Sequence, residues 1–199
     1  MKIFYDCEFL ARGDRVRMIS IGMVSGEREM YAVSDQVGPG GSLHDEICHH
    51  DWLMKNVVPS LPLLDPGTGV MGGLVASSEL IPLDTTSPLV MSPDKIRDKV
   101  LDFILGTDNP ELWAWYGAYD HVVMSQLLGG MENFPPQVPM WTNDLKQLHV
   151  ALGSPKLPQQ SRGKHNALED AKWNRAVHDF LTSLSGSAER RYRFVPDAK

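Results

Sequence analysis

Apolar positions gather at the start of the chain. Met1, Ile3, Phe4 and Tyr5 lead into Phe4-Tyr5-Asp6-Cys7-Glu8-Phe9, which reads as a buried β-strand. A polar turn, Arg12-Gly13-Asp14-Arg15, separates it from a second apolar run, Met18 to Val24. Ser25-Gly26-Glu27 then turns the chain into a third strand, Glu29-Met30-Tyr31-Ala32-Val33. The pattern predicts an antiparallel meander as the start of the sheet. Residues 34–50 are rich in Gly, Pro and His and read as a loop, and Asp51 is placed to cap a short helix from Trp52 to Val58 that Pro59 ends. Residues 62–92 carry Pro, Gly, Ser and Thr without clear periodicity and read as a long loop, with a short hairpin expected near Gly69 to Ile81.

Helical periodicity takes over in the second half. Ser92-Pro93 opens a helix whose stripe is Ile96, Val100, Phe103 and Ile104 and which stops at Gly106. Glu111 to Tyr116 reads as a central strand, Gly117-Ala118-Tyr119 as a tight turn, and Asp120 as the opening of a helix that ends at Gly129-Gly130. A Pro-rich loop follows from Met131 to Met140. Thr142 is placed to cap a helix over Leu145, Leu148 and Leu152, and residues 154–164 form a polar, basic loop. Asn166 and Glu169 stand as N-cap and N3 residues of a last helix from Ala167 to about Leu184. The remainder, 185–199, holds Arg190, Arg191 and Arg193 and is expected to be a flexible tail.

Composition narrows the class. The chain has 199 residues, enough for one domain with a sizeable core, and its 42% hydrophobic and 22% charged content is that of an ordinary globular protein. No apolar run reaches the ~20 residues of a membrane span. The N-terminus is a strand bearing acids, so no signal peptide is expected, and Cys7 and Cys48 form no metal or redox motif; both point to a reducing cytoplasm. The net charge of −6 excludes a protein that coats nucleic acid through a broad basic surface. It does not exclude an enzyme that holds a short stretch of nucleic acid through metal ions. His44, His49 and His50 are close in sequence but fit no ligand spacing and read as surface residues.

The candidate chemistry lies in the acids. Asp6 and Glu8 are two apart on a strand, so both side chains share a face, while Cys7 faces the other side as a small core residue. Two carboxylates side by side on a core strand repel each other and are costly to desolvate. A divalent cation would compensate them, and hard cations take oxygen ligands. Further along, Asp120 sits where a buried strand turns into a helix, His165 one residue before a helix cap, and Asp170 in the first turn of that helix. Each alone has an ordinary reading as a helix-terminal acid or a loop histidine. Their joint order and placement point instead to one constellation.

With Asp6-Cys7-Glu8, Tyr119-Asp120 and His165-Asn166-Ala167-Leu168-Glu169-Asp170-Ala171 in place, the sequence resembles the DEDDh branch of the 3′-to-5′ exonucleases. Within that branch it is most similar to the polyadenylate-specific ribonuclease AS family. That likeness rests on Phe4 to Phe9, Ile19 to Gly22, Asn56 to Pro62 and Glu111 to His121. It fails over residues 63–90, which read as a loop insertion in an exonuclease domain spanning 1–184, and Cys7 stands where Thr or Ile is commoner.

The resemblance implies an α/β ribonuclease H-like fold, a mixed five-stranded sheet of antiparallel meander plus parallel strands flanked by helices. It implies hydrolysis of single-stranded RNA from the 3′ end, adenylate-rich ends among them, to nucleoside 5′-monophosphates. It implies two Mg²⁺ ions, with Mn²⁺ as a substitute, and a homodimer. Asp6, Glu8, Asp120 and Asp170 would be the metal ligands, with Asp6 bridging, and His165 the general base, the ordinary imidazole pKa of ~6.5 suiting that role. Cys7, Phe9, Trp115, Tyr116, Arg162 and Lys164 are the candidate substrate contacts, the aromatics by stacking and the cations on phosphates. The motifs read the scissile phosphate rather than the sugar. A proofreading-type DNA exonuclease therefore stays open, as does a catalytically silent nucleic-acid-binding module.

Overall fold

A computed structural model describes the fold of residues 1–65 and 80–191. Strands β1 (Lys2–Arg12), β2 (Arg15–Ser25) and β3 (Arg28–Ser34) form the expected antiparallel meander. Two short helices follow, α1 (His44–Cys48) and α2 (Asp51–Asn56), and then a 3₁₀ turn over Val58–Ser60. Next come β4 (Val90–Met91), α3 (Pro93–Leu105), β5 (Glu111–Ala114), α4 (Ala118–Leu127), β6 (Thr142–Asp144), α5 (Leu145–Ala151) and α6 (Ala167–Arg191). The chain is α/β, with helices on both sides of one mixed sheet in the order β4-β3-β2-β1-β5-β6. Among the described residues no helix is long and apolar enough to cross a membrane.

Several expectations are corrected. The sheet has six strands where five are expected. Val90–Met91 is two residues long, and Thr142–Asp144 is polar throughout, so neither carries an alternating pattern. Thr142 is therefore a strand residue, and Asp144 caps α5 by accepting from the Lys146 and Gln147 amides at 2.7 and 3.2 Å. His50, not Asp51, caps α2 through Nδ1 and the Leu53 amide. The 34–50 loop contains α1, in which His44 is buried rather than superficial. Helix α6 runs to Arg191, past the expected end at Leu184.

The described ends of the 63–90 insertion are packed, not merely superficial. Leu63 bridges Leu83, and Ile81 and Leu83 enter a core with Ile19, Val33, Ile47 and Leu53. The expected Gly69–Ile81 hairpin lies, apart from its last residues, outside the described residues.

Alternation along β1 decides which face does what. Ile3, Tyr5 and Cys7 point into a core closed by Ile96, Val100 and Ile104 of α3 and Val123 and Met124 of α4. Phe4 points to the opposite face, against Val24 and Ala171. Asp6 and Glu8 share that second face by the two-residue period, and α6 lies across it. The approach of α6 requires a glycine. A Cβ on Gly22 of β2 would sit 2.3 Å from the Leu168 amide nitrogen and 2.4 Å from the Ala167 carbonyl. The absent side chain thus brings the first turn of α6 down onto the acids.

Candidate active site

Each acid is placed by a local device. The β1–β2 register slips between Glu8 and Phe9, so Glu8 still opposes Ser20 while Phe9 opposes Met18. Such a bulge bends the strand and re-aims side chains, here immediately after the acid pair. Strand β5 pairs with β1 only from Lys2 to Phe4. Beyond that point Asp120, in the first turn of α4, takes up the free edge, its Oδ1 accepting from the Cys7 amide at 2.8 Å. Cys7 thus contributes through its backbone, while its thiol is buried.

Asp170 lies in the first turn of α6, where the helix dipole favours a carboxylate. Its Oδ2 accepts from the His165 amide at 2.8 Å and its Oδ1 from Gln160 Nε2 at 2.6 Å. The Asn166 cap forms as the sequence predicts, its side chain accepting from the Glu169 amide at 3.2 Å.

These segments meet at a cavity of about 340 Å³. Asp6, Glu8, Asp120, His165 and Asp170 all line it, with Cys7, Phe9, Trp115, Tyr116 and Lys164. Arg162 is exposed and outside the lining. Ligand atoms of Glu8, His165 and Asp170 lie within 4.8 Å of one another, and His165 Nδ1 is 3.7 Å from Glu8 Oε1.

The electrostatics run one way. Burial, then the Asp170 and Asp120 carboxylates, push Glu8 up to about 8. Asp6 is driven well above the carboxylate range by burial, then by Asp120, Asp170 and Glu8. Burial also raises Asp120, against amide donation from Cys7, and Asp170, against donation from Gln160 and His165. Four mutually repelling carboxylates and an imidazole at one cavity are a donor set suited to hard divalent cations.

An aromatic wall stands beside the acids. Phe9 stacks on Tyr119 with centroids 5.6 Å apart and planes at 16°. Trp115 meets Tyr116 and Trp173 edge-on at 5.6 and 5.4 Å, and Lys146 Nζ lies 5.6 Å over its ring. Tyr116, held at φ +56°, is 61% exposed, so its ring is open to a ligand.

Several residues at the site are not among the contacts that the sequence predicts. Trp173 could have been found, because three residues after Asp170 on a helix is the same face. Tyr119 precedes Asp120 but reads as turn. Gln160 sits in an irregular loop, and Trp52, whose ring meets His165 edge-on at 4.9 Å, lies more than a hundred residues away in sequence; neither offers a local signal.

No family model matches the chain. Two curated relatives from Mycobacterium tuberculosis are 38% identical over 177 residues, which is 86% of this chain and 88% of theirs. They are the 3′-5′ exoribonuclease Rv2179c of strain H37Rv and the 3′-5′ exoribonuclease MT2234.1 of strain CDC 1551. Among solved structures, one chain in the structure of the yeast NOT1 MIF4G domain co-crystallised with CAF1 is similar at 12% identity, over 93% of this chain and 80% of that one, with a TM-score of 0.44.

Proposed function

The chain belongs to the 3′-5′ exoribonuclease family, and from that premise we propose that its acid cluster hydrolyses single-stranded RNA from the 3′ end by a two-metal route. The family membership makes it an enzyme that cleaves phosphodiester bonds in RNA. The observation that carries the finer reading is the convergence of Asp6, Glu8, Asp120, His165 and Asp170, from three separate stretches of sequence, on one cavity.

Asp6 would hold both ions, Glu8 and Asp170 one of them, and Asp120 the other. When bound, two divalent cations, Mg²⁺ or Mn²⁺, would supply an activated water and charge stabilisation at the leaving 3′-oxygen. His165 takes the proton of the attacking water. Its Nδ1 faces Glu8 Oε1, which leaves Nε2 as the accepting atom. Phe9, Tyr119 and Tyr116 offer faces for the terminal bases, base–aromatic stacking being worth ~1–3 kcal/mol per base. Lys164, on the cavity wall, suits a phosphate. The products are nucleoside 5′-monophosphates. The motif resemblance to the DEDDh exonucleases and to ribonuclease AS supports adenylate-rich ends as substrates and a homodimer, and the mixed sheet is compatible with a ribonuclease H-like fold.

The test is a panel of labelled RNA and DNA, single- and double-stranded, of mixed and adenylate-only sequence, with and without Mg²⁺. Metal-dependent shortening of single-stranded RNA from its 3′ end is expected. Equal or faster cleavage of DNA would make it a proofreading-type enzyme, and binding without cleavage a silent module. Light scattering on the same sample should give about twice the 22.2 kDa chain mass, and a monomer mass would overturn the dimer.

A further inference from the structure

We propose that Ser60 is a positioning residue for His165. The inference rests on the reading of His165 as the general base, and it assigns a role to Asn56–Pro62, a stretch that contributes nothing to the cavity lining. Among the described residues, His165 is one of the few non-glycine residues with a left-handed backbone, at φ +64°. A β-carbon in that region crowds the backbone, so the conformation persists only where the surroundings enforce it.

The enforcing contacts come from Ser60 and the segment before it. Ser60, at the end of the 3₁₀ turn Val58–Ser60, donates from Oγ to the His165 carbonyl at 2.5 Å. The same oxygen lies 2.8 Å from the Val57 carbonyl. One hydroxyl proton therefore serves two carbonyls and ties the loop to the 3₁₀ turn. The Ser60 carbonyl in turn accepts from Asn166 Nδ2 at 3.2 Å. A single residue thus grips both His165 and the cap residue that follows it.

The segment before Ser60 completes the hold. Trp52 of α2 sets its ring edge-on to the imidazole, 4.9 Å away. Val57, Val58 and Leu61 are buried in the core formed with Ile19, Val33, Ile47 and Leu53, so the clamp is anchored in packed structure. Loss of the Ser60 hydroxyl leaves the His165 carbonyl without that donor and reaches the carboxylates only through the His165 amide, which donates to Asp170 Oδ2 at 2.8 Å. The occupancy of the productive imidazole position should fall first.

The experiment is a double-mutant cycle of Ser60→Ala and His165→Ala, with Ser60→Thr as the conservative control, on the full chain with Mg²⁺ and a single-stranded RNA. Ser60→Ala should lower kcat about tenfold with KM little changed, and Ser60→Thr, which keeps the hydroxyl, should recover most of it. In the His165→Ala background Ser60→Ala should cost nothing further, because the group it positions is gone. A readout independent of turnover is backbone hydrogen exchange in the metal-free protein, where the segment around His165 and Asn166 should exchange faster in Ser60→Ala while the rest is unchanged.

An equal loss from Ser60→Ala in both backgrounds, or unchanged turnover and exchange, would overturn the proposal. If His165→Ala itself keeps near-normal turnover, the reading of His165 as base fails first, and the exchange result then stands alone as the measure of the clamp.

Discussion

At the scale of single residues, His165 carries two separable demands: an imidazole for proton transfer and a backbone in the left-handed region. A positioned base contributes typically ~10²–10⁴-fold to rate, so His165→Ala should lose activity by that order. Because the proposed metal ligands are the four carboxylates, Mg²⁺ should still raise the melting temperature of that variant. His165→Gly should be equally inactive but melt no lower than His165→Ala. Glycine takes φ +64° freely, and this offsets its greater freedom in the unfolded chain. Kinetics and melting curves on the two variants check both halves. Turnover within a few-fold of wild type in either one would remove His165 from the chemistry, and a glycine variant melting well below the alanine one would mean that the positive φ is not strained.

At the scale of elements, the site depends on how closely α6 meets β2. Gly22→Ala would place a methyl group against the backbone of Ala167 and Leu168, and backbone cannot turn aside as a side chain can. Overpacking of this kind costs ~1–3 kcal/mol. Here it would also lift the α6 start that carries Asn166 and Asp170. The variant should fold with a melting temperature lower by several degrees and an activity loss larger than that stability loss explains. Wild-type activity at a normal melting temperature would show that the close approach is dispensable.

Which elements were legible follows from the reach of their signals. The β1–β3 meander, α3 and the Asn166 cap of α6 are written in local alternation, stripes and cap pairs. Strands β4 and β6 exist because β3 and β5 offer them an edge, a cause outside their own few residues. The His50 cap escapes because an imidazole nitrogen is not among the usual capping groups. The acids were legible for their spacing on particular elements. Ser60, Gln160 and Trp52 were not, since what each does is set by partners that only the fold brings near.

At the scale of the whole molecule, the site opposes the stability of the fold that holds it, and pH exposes the opposition. Glu8 is raised from 4.5 to about 8, and Asp6, Asp120 and Asp170 are raised with it. A carboxyl whose folded pKa exceeds its unfolded one binds its proton more tightly in the native state. Its contribution is therefore fully present below the unfolded value and is lost as pH rises through the folded one. For Glu8 that window runs from 4.5 to about 8. His121 acts in the opposite sense, since burial lowers its imidazole, but it is one group against four.

Without metal the protein should thus melt at progressively lower temperature between about pH 5 and pH 8. One pKa unit is worth ~1.4 kcal/mol, and 1 kcal/mol moves the melting temperature of a chain this size by ~2–4 °C, so a fall of ~5 °C or more is expected. Millimolar Mg²⁺, which binds the ionised acids, should stabilise most at the alkaline end, so the two curves diverge as pH rises. Asp6→Asn removes one of the repelling charges. It should abolish cleavage, raise the metal-free melting temperature at pH 8 and flatten its slope. Melting curves for wild type and Asp6→Asn across that range, with chelator and with Mg²⁺, decide the matter: a metal-free melting temperature that climbs toward pH 8, or parallel curves with and without metal, would mean the four carboxylates are not a strained, cation-binding cluster.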